Sequence, residues 1–177
     1  MNYPSAYISY LAEFNGTRDF FECHELLEEH WKEHPDDPRA LLWVGLIQLA
    51  VGQYHERRGN SNGALKMYEK ALGKLDLLSL EQLGLDGTRT IEDLSRRYDC
   101  LRKGQSLPYR DMTLVVTDPE LERHCIQLCD ALQVKWGSSS PMNADALIHR
   151  HKLRDRSDVL AERAAAIEAK KRNRTAE

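Results

Sequence analysis

The chain has 177 residues, of which 41% are hydrophobic and 30% charged, with a formal net charge of −3. That suits one core-forming domain, with or without a tail. The opening MNYPSAYISY has no basic segment leading into an apolar one, and no second long apolar run follows, so no secretory signal is expected and a cytoplasmic location is the expectation.

The charge is unevenly spread. From His149 onward there are nine Lys/Arg against five Asp/Glu, whereas residues 1–148 carry 16 basic and 23 acidic side chains, a balance of −7. The four cysteines (Cys23, Cys100, Cys125, Cys129) lack zinc-type CxxC pairs and are read as reduced, mostly buried thiols.

Tyr7, Ile8, Leu11 and Phe14 share one face of a first helix, which Asn15-Gly16 is expected to end. Thr17 is placed to cap a second helix running to about Glu33. Its buried stripe is Phe20, His24, Leu27 and Trp31, with Phe21 and Glu28 alongside and Glu22, Glu25 and Glu29 on the wet side. His34-Pro35 stops it, and Asp37-Pro38 supplies a carboxylate and a proline to start the next.

That third helix, about 38–58, is the centre of the reading. From Ala40 to Gly52 only Gln48 is polar, and a helix apolar on every side is buried on every side. Its apolar run falls short of the roughly 18 to 20 residues that span a bilayer. Gly45, Gln48, Gly52, His55 and Gly59 recur at spacings of three and four, a stripe of small or hydrogen-bonding groups along one face. Gly45, Gly52 and Gly59 are read there as helix-contact glycines.

Gly59-Asn60 ends the central helix. A fourth helix follows with Ala64, Leu65, Tyr68, Ala71, Leu72, Leu75 and Leu78 on its apolar side, giving an antiparallel hairpin over about 38–78. Gly84 and Gly87 mark a loop, and Thr90 with Asp93 has capping-box spacing for a fifth helix to about Lys103. Pro108 to Thr117 is short and β-branched, an extended crossing with no second strand to pair with. Asp118-Pro119 opens a sixth helix to about Val134. The expected organisation is a helical bundle over 1–136, a linker at 137–142 and a basic helical extension over 143–177. In that extension Leu153, Leu160 and Ile167 stand seven apart, but Arg156 and Arg163 occupy the other seam position, which argues against a coiled coil.

FFECHELLEEHW together with GLIQLAVGQYHERRGNSNGAL, from Phe20 to Leu65, resembles the signature of an all-helical prokaryotic family, number 309 among the domains of unknown function. HRHKLRDRSDVLAER is similar to members of the same group. The resemblance implies a helical bundle and supplies no catalytic residue. A second similarity is to one tetratricopeptide unit, carried by Gly52, Gly59, Ala64, Tyr68 and Ala71; no second copy follows at a period of about 34 residues, so a solenoid is not expected.

Chemistry is sought in His24 and Glu28, one turn apart on the second helix, with Gln48 and His55 on the third. His24, Glu28 and His55 offer two imidazoles and a carboxylate for a zinc ion with an open fourth position. Glu28 is equally suited to fix a histidine tautomer for acid–base work. The favoured alternative is a structural one, a hydrogen-bonded network that sets how two helices meet. HELLEEH differs from HExxH because Glu28 takes the second histidine's place. Arg57, Arg58 and Asn60 close the central helix, where arginines favour the helix dipole. Arg150, Lys152, Arg154, Lys170, Lys171 and Arg172 are the candidate nucleic-acid contacts, though interleaved acids and the lack of aromatics after Trp136 argue for a solvated face.

The expectation is therefore an all-α bundle of six to seven helices acting as a non-enzymatic protein-interaction or scaffold module, with no cofactor. Its partner is a protein or a second copy of itself, and no membrane is involved. The competing readings are a metal-dependent hydrolase built on the four-residue cluster and a nucleic-acid role for the basic tail.

Overall fold

The computed structural model describes residues 3–105 and 108–150, and over them the fold is all-α. Helices α1 (Ser5–Ala12), α2 (Phe20–Glu33), α3 (Ala40–Arg57), α4 (Ser61–Leu72), α5 (Leu77–Gln82), α6 (Gly87–Arg102), α7 (Pro119–Ala131) and the single turn α8 (Asp145–Ile148) follow in order. The heptad-spaced Leu153, Leu160 and Ile167 lie outside the described residues, as does most of the basic extension.

α3 is the axis. It packs on α2 on one side and α4 on the other, burying Trp43, Leu46, Leu49, Ala50 and Tyr54. Full burial of one such side chain contributes roughly 1.5–3 kcal/mol. Asp37 organises its entry, accepting the Arg39 amide at 2.8 Å and the Trp43 indole at 3.0 Å. At its far end Gly59 takes the left-handed conformation, φ 72°, and Asn60 caps α4 by accepting the Gly63 amide at 3.0 Å. A Cβ on Gly45 would meet Leu75 Cδ2 at 2.6 Å, and one on Gly52 would overlap the Tyr68 ring, so the hairpin is antiparallel and closely seated. Gly59 has a different use. No atom lies within 4 Å of where its Cβ would be, and its backbone angle, not a close approach, is what requires glycine.

One helix end and two helix starts differ from what the sequence suggests. The first helix does not stop at Asn15-Gly16 but widens into a π-turn over Glu13–Thr17, ended by Arg18 at φ 61°. α2 is capped by Asp19, which accepts the Glu22 amide at 3.0 Å, while the Thr17 hydroxyl turns back to Glu13. Asp86, not Thr90, caps the fifth long helix, α6, by accepting the Arg89 amide at 2.8 Å; the Thr90 hydroxyl donates to the Asp86 carbonyl at 2.7 Å. In each case a nearby aspartate outcompetes a threonine, in line with its stronger cap preference. The fourth helix is also shorter than expected: it closes at Leu72, and α5 carries Leu78 separately.

The crossing after α6 is extended, with one isolated antiparallel bridge, Leu85 to Val116, among the described residues. Beside that bridge the Asp86 amide donates to the Val115 carbonyl and the Thr117 amide to the Gly84 carbonyl, both at 2.8 Å, while Met112 and Leu114 take their partners from side chains of the helical core. Asn15 Nδ2 donates to the Leu114 carbonyl at 2.7 Å, and Leu114 N donates to Asn15 Oδ1 at 3.0 Å. Met112 N donates to Gln53 Oε1 at 2.9 Å, and the Met112 carbonyl accepts from Arg18 Nη1 at 2.7 Å. α7 then lies against α1, with Cys125 and Cys129 buried between them. Residues of the 137–142 stretch are tied to this core: Gly137 N reaches the Asn15 carbonyl at 3.0 Å, and the Ser138 carbonyl accepts from Arg18 Nε at 2.6 Å.

Candidate functional site

His24 and Glu28 do face the same way on α2, at 3.4 Å, and Glu25 joins them at 3.0 Å from the other ring nitrogen. The three offer ligand atoms within 4.8 Å of one another, with each residue half-buried. Lys32 also approaches Glu28, at 3.3 Å. His55 is not in this group. Its Nδ1 faces the Asn60 amide at 3.1 Å beside the turn into α4, where burial and then Arg58 lower its pKa. Gln48 is half-buried, and its Oε1 has no hydrogen-bond partner among the described residues. The α2 pair thus gains a neighbouring glutamate, while the α3 pair goes elsewhere.

The buried polar groups of α3 are Gln53 and Arg57, with 0% and 5% of their surfaces exposed. Both sit one helical face away from the stripe that the sequence reading followed. Gln53 Nε2 donates to the Tyr68 hydroxyl at 2.5 Å, and Tyr68 donates in turn to Glu56 Oε2 at 2.5 Å. Arg97 on α6 reaches the same Glu56 oxygen at 3.2 Å and lies 3.5 Å from Asp93. Gln53 Oε1 accepts from Tyr109, whose hydroxyl also lies 2.9 Å from Asp111. Burial, reinforced by Glu56, raises the Tyr68 phenol well above its usual range; burial and then Asp111 do the same for Tyr109. Neither phenol ionises near neutral pH, so both serve as hydrogen-bonding bridges.

A second half of the network holds two guanidinium groups. Arg18 spreads over the carbonyls of Phe14, Met112 and Ser138 and the Thr113 hydroxyl. Arg57 donates to the Arg18 carbonyl at 2.7 Å and the Ser140 hydroxyl at 3.0 Å, with its plane 4.7 Å from the Phe20 ring centre. Burial lowers the pKa of both arginines. Asp111 is the nearby carboxylate, itself accepting the amide and the hydroxyl of Ser140 at 2.6 and 2.5 Å. These fixed acceptors explain how Arg18 holds a left-handed backbone that residues other than glycine seldom adopt.

A cavity of about 630 Å³ opens beside this network, between the ends of α3 and α6, Ser61 of α4 and Pro108 to Arg110 of the crossing. Of the candidate nucleic-acid contacts, Arg150 alone lies within the described residues. It pairs with Asp19 and, at 2.8 Å, with Glu22, so its charge is taken up by the start of α2. Lys152, Arg154, Lys170, Lys171 and Arg172 lie outside it. The thiols of Cys23, Cys125 and Cys129 are free and buried. Burial raises each of their pKa values, that of Cys125 to about 12, which makes them unreactive.

Gln53 was detectable in principle, since Gln53, Glu56 and Arg57 put three hydrogen-bonding residues on the last two turns of an otherwise apolar helix. Arg18, Asp111 and Tyr109 left no such signal, because the partners that join them to the rest of the fold lie 29 to 120 residues away in sequence.

A family model described as "Domain of unknown function (DUF309)" matches residues 7–67. An uncharacterized protein, YpuF of Bacillus subtilis (strain 168), is 42% identical over 174 residues, covering 97% of this chain and 99% of that protein. No solved structure matches.

Proposed function

The chain belongs to the DUF309 family, and from that premise we propose that it is a non-enzymatic helical module that binds a protein partner, a second copy of itself being the first candidate. The observation that supports this is an apolar end on the α3–α4 hairpin. Leu41 at the start of α3 is 68% exposed, and Leu77 and Leu78 on α5 are 38% and 67% exposed. Gly45 sits one turn after Leu41 against Leu75, which brings these leucines to the hairpin end away from the Gly59 turn. Clustered exposed leucines on a well-packed domain favour a docking role. The close Gly45 and Gly52 seam is the tetratricopeptide-like element of this reading: it makes the hairpin a rigid support. No helix among the described residues is long and apolar enough to cross a membrane.

The test is light scattering on the full chain across a wide concentration range, with and without Leu41→Glu/Leu78→Glu. A concentration-dependent dimer that the double substitution abolishes at unchanged melting temperature supports the reading. A chain that stays monomeric throughout removes self-association. Substrate turnover that His24→Ala abolishes with the fold intact overturns the non-enzymatic part.

The metal reading keeps one favourable observation, the convergence of His24, Glu25 and Glu28. It changes the proposed ligand set, with Glu25 in place of His55. Three partly exposed groups on a single helix, with Lys32 already paired to Glu28, make a weak cation site compared with the closed four-ligand sites of structural zinc. Elemental analysis of purified protein separates the two readings.

A further inference from the structure

The cavity at the Gly59 end of the hairpin, opposite the apolar end, has an unusual charge balance. Its wall carries Arg57, Arg96, Arg97 and Arg110 against Glu56 and Asp93. That is a surplus of positive charge in a stretch of chain, residues 1–148, whose own balance is −7.

The two carboxylates pair with Arg96 and Arg97 and leave Arg57 and Arg110 uncompensated. Asp93 lies 2.5 Å from Arg96 and 3.5 Å from Arg97, and Glu56 lies 3.2 Å from Arg97 while also accepting from Tyr68 and Gln53. Their oxygens are committed. Among the described residues Arg57 bonds neutral oxygens, namely the carbonyls of Arg18 and Leu147 and the hydroxyl of Ser140. The carboxylate that acts on it electrostatically, Asp111, is spent on Ser140 and Tyr109. The Nε atom of Arg57 is buried with no acceptor among the described residues, whereas Arg97 Nε lies 3.5 Å from Asp93 Oδ2. Arg110 is exposed.

A guanidinium held away from water without a matching anion is costly, and an arriving oxyanion relieves that cost. The planar fork of arginine matches carboxylate and phosphate oxygens. A volume of about 630 Å³ falls within the range of small-molecule sites, and Leu101, Pro108 and the Tyr109 ring give the cavity an apolar wall for an organic body. From these features we infer that the cavity is a binding site for a small organic oxyanion, a phosphate monoester or a carboxylate. Arg57 is its buried cationic base, and Arg96 and Arg110 are the outer pair that adds charge.

Calorimetric titration of the full chain at constant ionic strength tests this, with glycerol phosphate and citrate as probes and glycerol as the uncharged control. At least one anion binds saturably, glycerol does not, and Arg96→Ala/Arg110→Ala weakens the binding by about tenfold or more. Both substituted residues are solvent-exposed, so the Glu56–Tyr68–Arg97 contacts and the melting temperature are preserved. Preference for the phosphate ester assigns a phosphate ligand, and preference for citrate assigns a carboxylate. Absence of saturable binding by both anions overturns the assignment, as does binding that the double substitution leaves unchanged.

Discussion

Asn15 and Leu114, 99 residues apart, exchange two hydrogen bonds: the side-chain amide donates to the Leu114 carbonyl at 2.7 Å and accepts its N–H at 3.0 Å. One asparagine thus does for the crossing what a neighbouring strand would do in a sheet. Both partners are buried, so removing the amide leaves a donor and an acceptor unsatisfied. Asn15→Leu is expected to destabilise the protein by about 2 to 6 kcal/mol, from roughly 1 to 3 for each stranded group. Urea denaturation of the two proteins measures it, and a loss below about 1 kcal/mol would show that water replaces the amide.

The Tyr68 hydroxyl joins Gln53 to Glu56. Tyr68→Phe keeps the ring that fills the Gly52 notch and removes the bridge alone, at a cost of about 1 to 3 kcal/mol. Gln53→Leu removes the acceptor of the Met112 amide as well and is expected to cost more. Because the two side chains share a bond, the double variant should lose less than the two losses combined, with a coupling of at least about 0.5 kcal/mol. Strict additivity would mean the two act independently.

Gly52→Ala sets two effects against each other. Alanine gains about 0.5–1 kcal/mol of helix preference over glycine, but its Cβ overlaps the Tyr68 ring, and overpacking a tight core costs about 1 to 3 kcal/mol. Overlap should win, and the melting temperature should fall. Gly59→Ala tests the other kind of glycine: open space surrounds it, and only its φ of 72° resists a side chain. Its loss should be smaller, about 1 kcal/mol. The opposite order would mean that Tyr68 swings aside.

Asp37 gives stability an acid-sensitive component. The side-chain hydrogen bond from Arg39, with help from the Trp43 indole and against the opposing effect of burial, holds its carboxyl well below the usual carboxylate range. Its stabilising contribution is therefore fully present above about pH 4, the unfolded value, and is lost as pH falls toward the lower folded value, because the unfolded chain takes up the proton first. Thermal melts monitored by tryptophan fluorescence between pH 6 and pH 2 should show a steeper acid loss in the wild type than in Asp37→Asn. Parallel slopes would remove Asp37 from acid unfolding.

Much of the bundle was legible because its signals are local. The apolar run of α3, Gly59-Asn60 and Asp118-Pro119 each state an element or its end within a few residues, and the structure follows them. Choices between adjacent caps were less so, since Thr17 and Asp19, or Thr90 and Asp86, are equally well spaced in the sequence and only packing separates them. The polar site was the least legible. The glycine stripe drew attention to Gln48 and His55, yet Tyr68, placed by Gly52, turns its hydroxyl to Gln53, one residue further on. Arg18, Tyr109 and Asp111 meet only after three separate helices have positioned them, and no periodicity records such a meeting.

The side-chain grip on the crossing also orders events in time. A strand in a sheet is protected by a neighbour that pairs with it directly, but the amides of Met112 and Leu114 are shielded by Gln53 and Asn15, residues that are in place only once α1 and α3 have docked. Contacts so distant in sequence close late in folding. The same two amides should therefore exchange with solvent deuterium only when the helical core itself opens, so that the rate at these two positions in an irregular segment reads the global unfolding free energy.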